Sequence, residues 1–296
     1  MRRRIRGQPS NDELITKLFE EGDRVRRSLV DEIVQRSGEL LPELAAITMD
    51  RMVWTAELPA WWAPVHTTYI LGVIGGQEVI TPLLSSLRWS DAYDHEWVTE
   101  DLPAIFGRMG GIAIEPLLAV AADKSAGWSA RSIAIDSLAA IAVVFPEYES
   151  RLLRFIEAQL KHRDEHPGVR RAAAVVLLDL RMTTARDPLV AFAKEEEKRA
   201  SEYEEYHAAY SQADVDRELA VMARAEDYYR RDWLLFYNDD EIRRRQLAWQ
   251  QEDQAFSRAR FGGGGGSERE AASEGLRLCP CGSGKMYRHC CWGKLH

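Results

Sequence analysis

The sequence predicts an all-α protein: a solenoid of helical hairpins, a charged helical cap, a glycine linker and a small cysteine-bearing module at the C-terminal end. Three observations carry that expectation. Proline and glycine landmarks recur near every 36 residues through the first two thirds of the chain. Apolar residues inside each unit fall three and four apart. All four cysteines of the 296 residues lie between Cys279 and Cys291. No apolar/polar alternation longer than a few positions offers a sheet as a competitor.

The repeat region covers residues 10–193. "LGVIGGQEVITPLL", Leu71 to Leu84, reads like "FGRMGGIAIEPLL", Phe106 to Leu118: a Gly-Gly turn, then an apolar helix that opens near a proline. Pro42, Pro82, Pro116 and Pro188 mark such openings at spacings of 40, 34 and 72, the last being twice 36. "VRR" at Val25 returns at Val169, 144 residues on. A period of that length, with helical spacing inside it as in Val25, Leu29 and Ile33, means stacked helix pairs that cover one another's apolar faces. Five pairs fit. Ser10 followed by Glu13 is a capping box, and Gly127 and Gly168 fall at helix boundaries. The Val-Arg-Arg-Ala run of residues 169–172, with Pro-Leu starts on partner helices, resembles HEAT-like repeats, which implies a HEAT-like helical-hairpin solenoid.

From Lys194 to Phe261 the repeat stops, and 12 basic residues stand against 17 acidic ones among many aromatics. Val215, Met222, Tyr229 and Phe236 lie seven apart, with Leu219 and Trp233 at the intervening core spacing. That pattern predicts a long amphipathic helix, interrupted at Glu226, capping the open face of the last repeat. Asn238 followed by Glu241 marks a second helix start. Gly262 to Gly266 then open a linker over residues 262–275, because five glycines lose too much entropy on ordering to sit in a helix. As flexible coil, the stretch up to Cys279 spans about 20 Å root mean square.

Residues 276–296 hold the chemistry. Cys279-Pro-Cys281 and Cys290-Cys291 are two close pairs of soft donors joined by a short loop, a set that suits one tetrahedral, structural Zn²⁺. Disulfides compete, but neighbouring Cys290 and Cys291 have Cα atoms about 3.8 Å apart, too close for an unstrained bridge. Crossed bridges would need an oxidising compartment. Iron–sulfur ligation is a further rival, although clusters usually spread their cysteines to reach separate irons. Gly282 and Gly284 let the backbone turn its amides toward thiolates, and Lys285 and Arg288 offset the charge of a four-thiolate site. "GSGK" is no phosphate loop, since Cys279 stands where the first glycine belongs and Met286 where Ser or Thr is needed.

"CPCGSGKMYRHCC" resembles the SEC-C motif, the zinc-binding tail named for the C-terminus of the SecA translocation ATPase. The resemblance covers roughly residues 276–293. It implies that Cys279, Cys281, Cys290 and Cys291 are the zinc ligands, and that the tail is a docking module for protein partners such as the SecB chaperone or the ribosome. Lys285, Arg288 and Trp292 then form its partner-binding surface, of the cationic and aromatic kind enriched at interfaces. No Walker motif accompanies the tail, so SecA's activity does not carry over.

With 46% apolar residues and a net charge of −8, the chain can bury a sizeable core and is not a general polyanion binder. The basic start "MRRRIRG" has no apolar run behind it, and the longest apolar stretch contains Asp136. A cytoplasmic protein without a membrane span is therefore expected. Asp91, Asp94, His95, Glu96, Glu100 and Asp101 form a polar cluster that reads first as a solvated inter-repeat loop. His162 and His166 read as an exposed helix end, and Trp61, Trp62, His66 and Tyr69 as inter-repeat core. With no nucleophile and base paired, neither catalysis nor a small-molecule substrate is expected. The sequence reads as a non-enzymatic adaptor. The alternatives are a ribosome or nucleic-acid binder acting through its basic tail and N-terminus, and an enzyme whose site lies in the Asp91 to Asp101 cluster.

Overall fold

The computed structural model describes residues 9–202 and 209–261. Every regular element among them is helical, and no strand occurs there. In chain order the α-helices are α1 (Asn11–Glu20), α2 (Arg27–Gln35), α3 (Ser37–Met49), α4 (Ala63–Ile74), α5 (Ile80–Ala92), α6 (Glu96–Met109), α7 (Gly111–Ala122), α8 (Trp128–Val144), α9 (Pro146–Lys161), α10 (Pro167–Asp179), α11 (Arg186–Glu202), α12 (Gln212–Ala220) and α13 (Asp239–Phe261). No helix among the described residues is long and apolar enough to cross a membrane.

Local signals set most of these boundaries. Ser10 caps α1 by accepting from the Glu13 amide at 3.1 Å, while Glu13 accepts from the Ser10 amide at 2.5 Å, so two of the helix's free donors are satisfied reciprocally. Gly127 precedes α8, and Gly168 donates its amide to the His166 ring that caps α10. The first glycine of each Gly-Gly turn ends a helix in the left-handed region, Gly75 at φ 66° after α4 and Gly110 at φ 62° after α6, a conformation that costs a side-chain-bearing residue energy.

The prolines behave less uniformly than expected. Pro82 and Pro188 sit in the first turns of α5 and α11, but Pro42 and Pro116 lie inside α3 and α7. Each of the latter two removes one intrahelical hydrogen bond, at the carbonyl four residues earlier. Those carbonyls belong to Gly38 and Ile112, both exposed residues, so the lost bond does not leave a buried acceptor unsatisfied.

Contacts divide the described chain into two compact units. The first joins residues 9–152 to Asp227–Ile242, and the second joins Leu153–Glu226 to the residues from Arg243 on. In the first unit α4 packs on α6 and α6 on α8, α3 packs on α5 and α5 on α7, and sequence neighbours pair across. The α4–α6–α8 crossings share one device. A Cβ on Gly72 of α4 would lie 2.8 Å from Ile105 of α6, and a Cβ on Gly107 of α6 would lie 3.0 Å from the Ala140 Cβ of α8. Glycine at these two points, 35 residues apart, lets neighbouring helices approach. Ala142, a further 35 residues on, is also small and buried.

A second recurring device is a buried arginine. Arg131 on α8 donates Nε–H to the Ala121 carbonyl ending α7, and Arg170 on α10 does the same to the Leu160 carbonyl ending α9, each at 2.9 Å and each ten residues back. Both satisfy a carbonyl that its own helix leaves without a partner. Val25-Arg26-Arg27 does not match Val169-Arg170-Arg171 in this respect: Arg26 is exposed, whereas Arg170 is buried under Phe192 and paired with Glu195 at 2.6 Å. Beside it in the second unit, Arg171 and Arg199 hold the fully buried Glu196.

The long helix expected across residues 215–236 does not form. α12 stops at Ala220, Val221 is extended, and Met222 is 96% exposed. Tyr229, Trp233 and Phe236 instead enter the core of the first unit, on a strap that closes with the tight turn Trp233–Tyr237. Three aromatic side chains lose more contact with water in that core than a charged helix seam would provide, and tertiary burial overrides helix continuation. α13 starts after Asn238 as the sequence predicts.

Candidate functional site

The strap builds the most concentrated polar and aromatic site in the first unit. Trp233 lies against Gly72 and donates Nε1–H to the Tyr69 carbonyl at 3.2 Å. Phe236 sits among Trp62, Tyr69 and Trp97, with ring centroids 5.5–5.7 Å away. Tyr237 donates its hydroxyl proton to Nδ1 of the buried His66 at 3.1 Å. The opposite nitrogen, Nε2, donates to the Gly22 carbonyl at 2.8 Å, which fixes the tautomer because a carbonyl only accepts. Trp62, His66 and Tyr69 are thus core, as the sequence predicts, while Trp61 keeps partial exposure.

At the edge of this core Tyr69, Asp101 and Arg231 meet. The Tyr69 hydroxyl donates to Asp101 Oδ2. Arg231 Nε lies 3.2 Å from Asp101 Oδ1, close enough to pair charge although the N–H is not aimed at the oxygen, and Arg231 Nη1 reaches Glu100 at 3.1 Å. Burial holds the Asp101 carboxyl above the usual carboxylate range, against the opposing pull of the Tyr69 hydrogen bond and the Arg231 charge. Burial and the neighbouring Asp101 push Tyr69 well above the ordinary phenol value, so it remains a donor.

His95 belongs to a different environment. It precedes α6 and follows Asp94, which adopts φ 60°, and its ring stacks on Trp61 at 4.2 Å and meets Trp54 edge-on at 5.0 Å. Nε2 donates to the Trp54 carbonyl at 3.1 Å, and Nδ1 is buried without a hydrogen-bond partner. Burial lowers its pKa to about 4, outweighing the Trp54 carbonyl and the Asp94 charge, so the ring is neutral near pH 7.

The Asp91 to Asp101 cluster therefore does not converge on one point. His95 faces the tryptophans, Asp101 faces Tyr69 and the strap, and Glu100 and Glu96 are exposed. No group of three or more His, Cys, Asp or Glu side chains able to hold a metal occurs among the described residues. A cleft of about 400 Å³ lies elsewhere, between Lys17, Glu21, Arg24 and Arg26. His166 caps α10 and His162 is exposed, so both act as parts of a helix boundary.

Cys279, Cys281, Cys290 and Cys291, with Lys285, Arg288 and Trp292, lie outside the described residues, as does the glycine linker. Arg231 and the Tyr69–Asp101 pair escaped the sequence reading. The signal that could have found them is "YYRRDWLLFY", whose five aromatics in ten residues suit a core better than a solvated cap.

Among the described residues, fold and site define an all-helical architecture with one unit closed by an aromatic strap. Comparison of the chain with known families, with characterised proteins and with solved structures finds no match.

Proposed function

We propose that the protein is a non-enzymatic adaptor of the cytoplasm. On this reading a HEAT-like solenoid offers one protein-binding surface, and a tethered tail with one structural zinc recruits a second partner. The observation that carries it is the confinement of all four cysteines to "CPCGSGKMYRHCC", beyond a run of five glycines, in the pattern that resembles the SEC-C motif. Two-row packing of α3 to α8, with glycine crossings 35 residues apart, supports a repeat architecture for the helical part.

Cys279, Cys281, Cys290 and Cys291 would hold the ion, and their donor set fits Zn²⁺. Four thiolates fill a tetrahedron, so the metal shapes the tail and offers no open position for substrate. Lys285, Arg288 and Trp292 would then face the partner, a SecB-like chaperone or the ribosome by the same resemblance. Tethering two binding surfaces raises the effective concentration of one partner near the other without new contacts.

Arg288→Glu with Trp292→Ala should retain zinc yet lose a chaperone or ribosome partner that the intact protein recovers. If deleting residues 262–296 leaves the set of copurifying proteins unchanged, the tail is a passive terminus and the adaptor reading fails.

A further inference from the structure

The loop between α3 and α4 turns apolar side chains toward solvent while buried residues pin it from beneath. Met52 is 72% exposed and Leu58 73%, and Met49 at the end of α3 is 48% exposed. Between them Trp54 is buried and donates Nε1–H to the Thr48 carbonyl at 2.8 Å. Trp61 closes the loop by stacking on His95. Arg51 donates to the Tyr93 hydroxyl, with its guanidinium 5.8 Å from the ring centroid, which ties the loop to the segment that follows α5. Solvent-facing Met and Leu on a pinned loop are already ordered before a partner arrives, and Met accommodates partners of varied shape.

Charge selects what that partner is. Asp50 and Glu57 lie on the loop, and Asp91, Asp94 and Glu96 on the segment tied to it by the Arg51–Tyr93 and Trp61–His95 contacts. Arg51 is the one cation within residues 49–62 and 89–97, and His95 stays neutral. Asp94 Oδ1 is buried, which leaves Asp50, Glu57, Asp91 and Glu96 against one guanidinium within these two segments, and that charge complements a partner segment that is both apolar and basic.

We propose that this surface binds a cationic amphipathic segment of a partner protein, with Met49, Met52 and Leu58 taking its apolar side chains and the surrounding carboxylates its lysines or arginines. The proposal deepens the adaptor reading and rests on it only for the premise that the helical part takes a protein partner.

The test uses the full chain and two fluorescent peptides of about 18 residues, roughly five helical turns, one built of Leu and Lys in amphipathic spacing and its twin of Leu and Glu. The Leu/Lys peptide should bind with a dissociation constant on the order of micromolar, and the Leu/Glu peptide should not bind. Met52→Ser with Leu58→Ser, which leaves net charge unchanged, should weaken binding about tenfold. Glu57→Gln with Glu96→Gln should weaken it and flatten its salt dependence. Both variants replace exposed side chains, and circular dichroism checks that they fold. Equal affinity of the Met52→Ser, Leu58→Ser variant overturns the proposal, because the peptide is then held by negative charge alone. Binding that emerges only after removal of residues 1–8 assigns the surface to the chain's own arginine-rich start, and a dimer abolished by the same two serines assigns it to a second copy. Either result overturns the proposal as well. Deletion of residues 262–296 reads the adaptor reading separately, since peptide binding should survive it.

Discussion

Arg231 and Glu100 lie 131 residues apart in the chain and 3.1 Å apart in the structure, and the same guanidinium pairs with Asp101. The chain leaves the first unit within α9 and returns to it at Asp227, and this charge contact marks where the returning strap meets α6. Arg231 thereby joins a surface carboxylate to a buried one whose other oxygen is occupied by Tyr69.

Arg231→Ala should cost about 1–2 kcal/mol in chemical denaturation, less than for a fully buried pair because the guanidinium side chain is 43% exposed. Loss of the cation drives the Asp101 pKa further up, toward the neutral acid. Asp101→Asn in the same chain should recover most of the loss, since the amide oxygen still accepts from Tyr69 and no charge is left to neutralise. An Arg231→Ala variant as stable as the parent chain would show that the strap is held by its aromatics alone.

Gly72→Ala should destabilise by about 1–3 kcal/mol, although alanine is the better helix former. The added methyl would lie 2.8 Å from Ile105 Cγ2 and 3.2 Å from Trp233, and the β-branched Ile105 cannot swing away. In an Ile105→Ala background the same substitution should cost clearly less, with the contact to Trp233 at 3.2 Å remaining, a coupling that a double-mutant cycle by denaturation measures.

His95 should make stability fall with acid. Its pKa is about 4 in the folded chain and ordinarily near 6.5, so the unfolded state binds the proton first. The stability is fully present above about pH 6.5 and is lost as pH falls toward 4, by about 3 kcal/mol in all. His95→Phe should abolish that part of the pH dependence, as read from denaturation midpoints across the window.

Zinc should be present at about one ion per chain and be lost in Cys290→Ser with Cys291→Ser, while the helical circular dichroism signal persists. Elemental analysis that finds iron, or four oxidised cysteines without metal, would exclude a zinc module.

Much of the fold was legible because its signals are short in range. The capping box at Ser10, the paired glycine turns and the start of α13 each depend on bonds made within about five residues, and each stands where the pattern predicts. The spacing of Val215, Met222, Tyr229 and Phe236 misled for the complementary reason. Seven-residue periodicity reports that side chains could share a helix face, not that such a face has anything to bury against.

By itself, then, the sequence determined the helical character of the chain, many of its helix ends, and the gathering of every cysteine into one short terminal stretch. Only the tertiary structure decided that Trp233, Phe236 and Tyr237 fill the first unit, that His95 and Asp101 look toward different neighbours, and that Arg231 completes a buried pair. Helix signals are intrinsic to a few consecutive residues. Which distant apolar surface a segment covers depends on the competition among all available partners, and that competition is settled by packing across the whole unit.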